Sequence, residues 1–375
     1  MRRKKQAIQQ CKQSYEQIVP KEIVFSPVDT SQRQKNQEYI DHLRQSDKTE
    51  VIKQLQKKNP VFDLSWMKEE EQEIFQNFSE RFVSDAKSFD ADLKDEDIFQ
   101  AMRNMWIIWM LELLFNKELV YHEAMFGYSM LYPYSDNFLD DVTITKKEKQ
   151  EFNDWFTKRL HGKEVICETA LQKKIDALVG FIEHHYPREQ YASVYDGLYM
   201  IQDAQILSLS QSQEQCKDIL YDISVEKGGT SVIADGYLID GTLKDDEYQF
   251  CVDFGFALQI VDDIQDQIED KRMSHNTLAT ICQTKKERYA LFLKNWCFFD
   301  EILNHHKCKR KEIKQFVIES CHELLAQSVL ESQDLYPKSF CQKLKQAMPL
   351  EENYMQEVME ETKKKMDSSS IPQPI

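Results

Sequence analysis

Apolar residues recur along most of this chain at three- and four-residue intervals, the spacing that gathers them on one side of an α-helix. The intervals become regular from Val61 onward. Trp66 to Val83 and Asp97 to Leu131 read as core-facing helices, the second apolar nearly all round and hence central. Pro133 marks a bend after it. Thr145 to Gly162 and Glu164 to His185 follow, the latter stopped by Pro187. Tyr191 to Ser210, Gln215 to Asp240 and Asp245 to Lys271 are three further helical segments, and Lys285 to about Lys345 is helical and less apolar. No run alternates with period two between hairpin turns, and nine glycines and nine prolines in 375 residues leave few turns. The pattern predicts an all-α protein. Residues 1–60 form a polar, partly helical N-terminal extension, 61–350 one all-α domain, and 351–375 a partly disordered tail.

Composition narrows the partners. A hydrophobic share of 41% suffices for a core, while a net charge of -16 and a mean hydropathy of -0.60 describe a soluble, acidic chain. Nucleic acid is excluded as a partner, because phosphate backbones reward positive charge. The nine cysteines are scattered without a CxxC pair, which fits reduced thiols and a cytoplasmic location. The most apolar run, Met105 to Phe115, contains Glu112 and falls short of the roughly 20 residues needed to span a bilayer. No apolar segment follows the basic start Met1 to Lys5, so peripheral membrane contact is the most that is expected, and that end reads as solvated and flexible.

Two aspartate clusters carry the chemistry. The first is Asp136-Asn137-Phe138-Leu139-Asp140-Asp141; the second, Asp262-Asp263-Ile264-Gln265-Asp266-Gln267-Ile268-Glu269-Asp270, leaves the apolar run Phe254 to Val261. Helix positions i and i+4 share a face, so Asp136 sits one turn from Asp140, and Asp262, Asp266 and Asp270 make an acidic column. Carboxylates so placed repel one another unless cations separate them, and Mg²⁺ takes a few carboxylates, waters and substrate phosphates. For the first cluster a helix-capping acidic turn competes evenly with a metal site. For the second the apolar residues wrap most of the helix, and the metal reading prevails. Between them Lys227-Gly228-Gly229-Thr230 places two glycines inside a helical pattern, predicting either a kink or break that frees N–H groups for an anion, or a plain inter-helix turn. His184-His185 and His305-His306 read as surface residues, and no GxSxG, P-loop or GxGxxG occurs.

The run Phe254-Gly255-x-Ala257-x-Gln259-x-x-Asp262-Asp263-x-x-Asp266 resembles the second aspartate-rich motif of trans-polyprenyl diphosphate synthases. Asp136-x-x-x-Asp140-Asp141-x-Thr143-Ile144 looks more like the first motif of squalene and phytoene synthases, in whose register the second acids are Asp266 and Asp270. Lys227 to Thr230 resembles the kinked segment over the diphosphate in class I isoprenoid synthases. The similarity spans roughly Trp106 to Asp270, and only the short motifs are specific. Elongating synthases carry a basic Gly-Gly-Lys-x-Arg-type segment upstream, which residues 61–135 lack; the Asn/Asp-x-x-x-Ser/Thr-x-x-x-Glu motif of ordinary terpene cyclases is also missing, and Leu139 stands where squalene synthases carry Glu. The combination is most similar to the bacterial large-terpene synthases.

The resemblance implies an isoprenoid synthase helical bundle around a central cavity, and a Mg²⁺-dependent terpene synthase that ionises a long linear prenyl diphosphate. About three Mg²⁺ ions would bind with the substrate diphosphate, held by Asp136, Asp140 and Asp141 on one wall and by Asp262, Asp263, Asp266 and Asp270 on the other. Asp136, Asp140, Asp262 and Asp266 carry the catalytic expectation. Lys227, Arg159 and Arg272 are the diphosphate-binding candidates. Trp106, Trp109, Phe126, Tyr128, Tyr132, Tyr199 and Phe256 are candidate liners of an apolar pocket, with core packing as their plain alternative. Head-to-head coupling, chain elongation and a non-catalytic helical partner subunit stay open, as does a homodimer.

Overall fold

The computed structural model describes residues 2–45, 65–141, 143–211, 214, 216–351 and 354, with Leu43 and Asp140 described by backbone only. Among the described residues every regular element is helical: α1 (Arg2–Gln17), α2 (Thr30–Gln45), α3 (Glu69–Phe89), α4 (Asp95–Leu114), α5 (Glu123–Asp140), α6 (Lys146–Leu160), α7 (Ala170–His185), α8 (Ala192–Ser208), α9 (Lys217–Asp240), α10 (Asp245–Gln265), α11 (Gln267–Arg272), α12 (Lys285–His305), α13 (Lys311–Glu331) and α14 (Lys338–Ala347), with one 3₁₀ turn at Gln333–Leu335. Local chemistry sets many of the ends. Thr145, Thr169 and Thr284 open α6, α7 and α12 with reciprocal caps to Glu148, Gln172 and Glu287. Gly241 closes α9 at φ 79°, a left-handed position that favours glycine.

The chain divides into two compact units, with the division falling inside α4 after Gln100. One comprises Ile23–Gln100 and Lys338–Ile375. There Arg33 holds α14 through Lys345 O at 2.6 Å and Asn36 reaches Pro349 O at 2.7 Å. The other comprises Met1–Glu22 and Ala101–Pro337 and contains both aspartate clusters. Its first residues are not a solvated end. Helix α1 lies along α10, with Arg3 paired to Asp245, Ala7 O accepting from Gln249, and the Tyr15 ring 5.0 Å from that of Phe256. Its cation Lys4 meets Glu226 of α9 at 2.7 Å. The polar N-terminal segment is docked because Ala7, Cys11 and Tyr15, four residues apart, give it a narrow apolar stripe. The expected boundary between residues 60 and 61 lies outside the described residues.

Helix α9 is the centre of that unit, buried on nearly every side and packed against α10, α8 and α5. It runs unbroken through Gly228 and Gly229, where the sequence pattern suggested a kink, a break or a turn. The glycines serve contact instead. A Cβ on Gly228 would lie 2.2 Å from the Gly255 carbonyl oxygen, and one on Gly255 would lie 2.1 Å from that of Gly228. The α9 and α10 backbones therefore touch at a glycine-on-glycine crossing. Three predicted segments divide. Asp97 to Leu131 breaks at 115–122, where Asn116 takes φ 60°, giving α4 and α5. Asp245 to Lys271 breaks at Asp266, and Lys285 to Lys345 becomes α12, α13 and α14. Pro133 lies inside α5, which continues to Asp140. Among the described residues no helix is long and apolar enough to cross a membrane.

Candidate metal–diphosphate site

Polar pins fix α5 against α9 in antiparallel register. His122 Nε2 donates to Leu238 O at 3.0 Å. Asn104 of α4 donates to both Ser129 Oγ and Asp235 Oδ1 at 3.1 Å. The Tyr132 and Ser231 hydroxyls share a hydrogen bond of 2.8 Å. From Ser129 and Asp235 to Tyr132 and Ser231 the contact advances three residues along α5 and retreats four along α9. Continued by helix geometry, that step would put Asp136, one turn beyond Tyr132, near the level of Lys227, one turn before Ser231.

Across α9 stands the second cluster. Asp262 and Asp266 are exposed, Asp270 is half-buried, and Asp263 is turned into the interior at 3% exposure. Gln259 Nε2 ties the wall together, donating to Asp263 Oδ1 at 2.9 Å and Asp262 Oδ2 at 3.2 Å. Burial, and then the charges of Asp263, Asp266 and Asp262, push the Asp270 carboxyl up to about 7. Burial, and then Asp262, push Asp266 up to about 6, with Lys227 and Arg103 opposing. Burial pushes Asp263 up to about 7 against the Gln259 hydrogen bond. Burial is the leading cause at all three, and the charges of neighbouring acids add to it. The charge of Lys227 reaches Asp263, Asp266 and Asp270 alike.

The first cluster is less uniform. Asp136 is half-exposed and accepts from Ser135 Oγ at 3.2 Å. Asp141 is exposed and accepts from Thr143 N at 2.8 Å and Thr143 Oγ1 at 2.7 Å, bonds that hold its carboxyl below the usual range. It serves the turn into α6, the capping role weighed for this cluster. The Asp140 side chain lies outside the described residues. Among the described residues no three His, Cys, Asp or Glu side chains are gathered so as to hold a metal ion as they stand. Mg²⁺ bound by one or two carboxylates, water and substrate phosphates does not require such a cage.

Two of the three expected cations are engaged elsewhere. Arg159 is forked onto Glu183 and bonded to Asp176; burial opposes its charge, but these carboxylates outweigh that and hold it above its usual value. Arg272 is exposed and paired with Glu269 on its own short helix. Thr230 Oγ1 donates back to Glu226 O at 2.7 Å, and the unbroken α9 offers no new helix start for an anion. Arg103 was not singled out, yet it is exposed on α4 and its charge reaches Asp266. Its signal was available: a lone cation inside the apolar run Ala101 to Leu114.

A cavity of about 40 Å³ lies beneath Asp136, lined by Tyr128, Leu131, Tyr132, Phe156, Leu198 and Ile201 among others. Of the expected liners Tyr128 and Tyr132 face it. Trp109 is 1% exposed and donates to Val120 O, Phe126 packs on Phe181, and Phe256 joins Tyr15, Tyr221 and Phe298 in the core. Tyr199 stacks on His161, and Trp106 is 37% exposed. A larger hollow of about 1140 Å³ runs between α1, the first half of α10 and α12, away from both acidic ends.

Neither the models of known protein families nor the curated proteins give a match to this chain.

Proposed function

We propose that this chain is a Mg²⁺-dependent class I terpene synthase that ionises a long linear prenyl diphosphate and releases diphosphate with a terpene product. The observation that carries the reading is Lys227, whose charge reaches Asp263, Asp266 and Asp270 around the end of α10 and which lies one turn from Ser231, the partner of Tyr132 on α5. Asp136 and Asp140 would hold ions from α5, and Asp262 and Asp266 from α10, with Asp270 beside them. Bound Mg²⁺ supplies Lewis acidity toward the diphosphate oxygens. Lys227, and Arg103 in place of Arg159 and Arg272, add positive charge that is worth most where negative charge builds on the leaving group. The cavity of about 40 Å³ is far smaller than a long carbon chain needs, a ligand pocket commonly holding roughly 300–1,000 Å³. The side chains around it would have to move apart on binding, and the rings of Tyr128 and Tyr132 would then offer their faces to positive charge. Asp263, turned inward, supports α10 rather than facing the mouth.

Incubation with C10 to C35 prenyl diphosphates and Mg²⁺ tests the reading. Diphosphate release with a product of unchanged carbon count is expected. A doubled count would assign head-to-head coupling, and release from none of the substrates would remove the enzyme reading.

A further inference from the structure

Asp235 has no place in the chemistry above. It sits at mid-length in α9, 0% exposed, with Oδ1 accepting from Asn104 and Oδ2 without a partner. Burial first, against the Asn104 hydrogen bond, holds its carboxyl well above the usual range, and no cation pairs with it. Enclosure without a cation beside it favours the neutral acid over the carboxylate. An apolar residue of similar size would pack there at less cost. What the polar group adds is a fixed connection: Asn104 of α4 grips Ser129 of α5 and Asp235 of α9 with one amide, and both partners are 0% exposed. That junction lies one turn from the Tyr132–Ser231 hydrogen bond, which in turn lies one turn from Asp136 and Lys227.

We propose that Asp235, through Asn104 and Ser129, is a positioning residue that sets the α5–α9 register and so holds Asp136 opposite Lys227. The inference rests on the terpene synthase reading for its catalytic consequence, but not for its structural one. Helices packed along smooth apolar faces can slide by a fraction of a turn, whereas a buried amide with two fixed acceptors admits one register. A displacement near 1 Å between reacting groups costs on the order of 100-fold in rate.

The test compares Asp235→Asn, Asp235→Leu and Asn104→Leu in the full chain. The readouts are kcat and KM for diphosphate release, and amide hydrogen exchange resolved by segment. Asp235→Asn keeps the neutral acceptor and should stay within about threefold of the parent kcat. The two leucine variants should lose on the order of 100-fold in kcat with KM changed less than about threefold. They should also exchange faster at residues 132–140 while α13 is unchanged. Leucine variants with parental kcat and exchange would overturn the proposal. So would an asparagine variant as damaged as leucine, or faster exchange spread equally to α13, which is plain loss of stability. If Asp235→Leu does not fold, Ser129→Ala removes one acceptor and should show the same split at about fivefold. If the parent chain releases no diphosphate, the terpene synthase reading falls, while segmental exchange still decides the register.

Discussion

The two acidic helix ends use the same residue type in opposite circumstances. At the end of α5 each described carboxylate accepts from an adjacent group: Asp136 from the Ser135 hydroxyl, and Asp141 from the amide and hydroxyl of Thr143. At the end of α10 the carboxylates lie near enough for their charges to raise one another. Asp263 keeps one oxygen buried without a partner, and Asp266 and Asp270 are pushed up to about 6 and about 7 by burial and by their own neighbours. An acidic motif is thus not one physical object. Asp141 is held by its own turn, whereas the carboxyls at the end of α10 are raised by burial and by one another.

Removing a carboxylate from the end of α10 breaks that contrast most directly. Asp266 shares a face with Asp262 one turn earlier and Asp270 one turn later, so it belongs to either register in which that wall can hold an ion. Asp266→Ala should lower kcat for diphosphate release by about 10³-fold, or about 4 kcal/mol of transition-state stabilisation. Asp262→Ala should do more damage than Asp270→Ala, because Asp262 is open to solvent while Asp270 is half-buried. Turnover within tenfold of the parent in Asp266→Ala would place the chemistry on another helix.

The end of α10 also depends on how closely that helix approaches the lysine opposite. Gly255→Ala would put a Cβ 2.1 Å from the Gly228 carbonyl oxygen, which is backbone and cannot swing aside. The helices must part, at about 3 kcal/mol from overpacking alone. The measurement is the denaturation midpoint. A shift worth less than about 0.5 kcal/mol would mean that the glycines do not touch.

Much of this was legible in residue order, and what was not has identifiable causes. Helix periodicity and the scarcity of turn formers announced an all-helical chain, because both follow from local geometry. The Gly228-Gly229 pair misled, because glycine reads as a breaker when its real use is to admit Gly255, 27 residues beyond Gly228, which no local rule contains. Arg159 looked like a cation available to an anion, but Glu183 and Asp176 claim it, and those come from a different helix. The docking of α1 was missed for the converse reason: its apolar stripe is three residues wide, and only the partner surface makes it count. Both acidic clusters could be found from sequence. Their different electrostatic states could not, because burial and mutual distance decide them.

Acidity should separate the ends further. The folded values of Asp266 and Asp270 lie above the unfolded value of about 3.9, so between those limits the folded chain binds more protons than the unfolded one. Their contribution to stability is therefore greatest at low pH and is lost as pH rises toward about 7. Histidines such as His122, held low by burial, act in the opposite sense, so the comparison is made against a variant. Asp270→Asn should gain on the parent in melting temperature as pH rises from 5 to 8. Mg²⁺ with pyrophosphate should shrink the gain by stabilising the ionised parent. A difference between parent and variant that is constant with pH would show that the Asp270 carboxyl is not raised.

The smallest effect belongs to the end of α5. Asp141 is exposed, and both of its hydrogen bonds go to Thr143, two residues on in the same turn. That geometry stabilises the path from α5 to α6 and leaves the carboxylate little reason to seek a cation. Asp141→Ala should change kcat by less than about threefold, because the turn can be completed by water at an exposed site. Asp136→Ala, on the same helix but put near the level of Lys227 by helix geometry, should cost on the order of 100-fold. The pair measured side by side tests whether position opposite Lys227, rather than membership of an acidic cluster, makes an aspartate matter. If Asp141→Ala is as damaging as Asp136→Ala, its bonds to Thr143 must give way when substrate binds, and both ends of the site would then be cation walls alike.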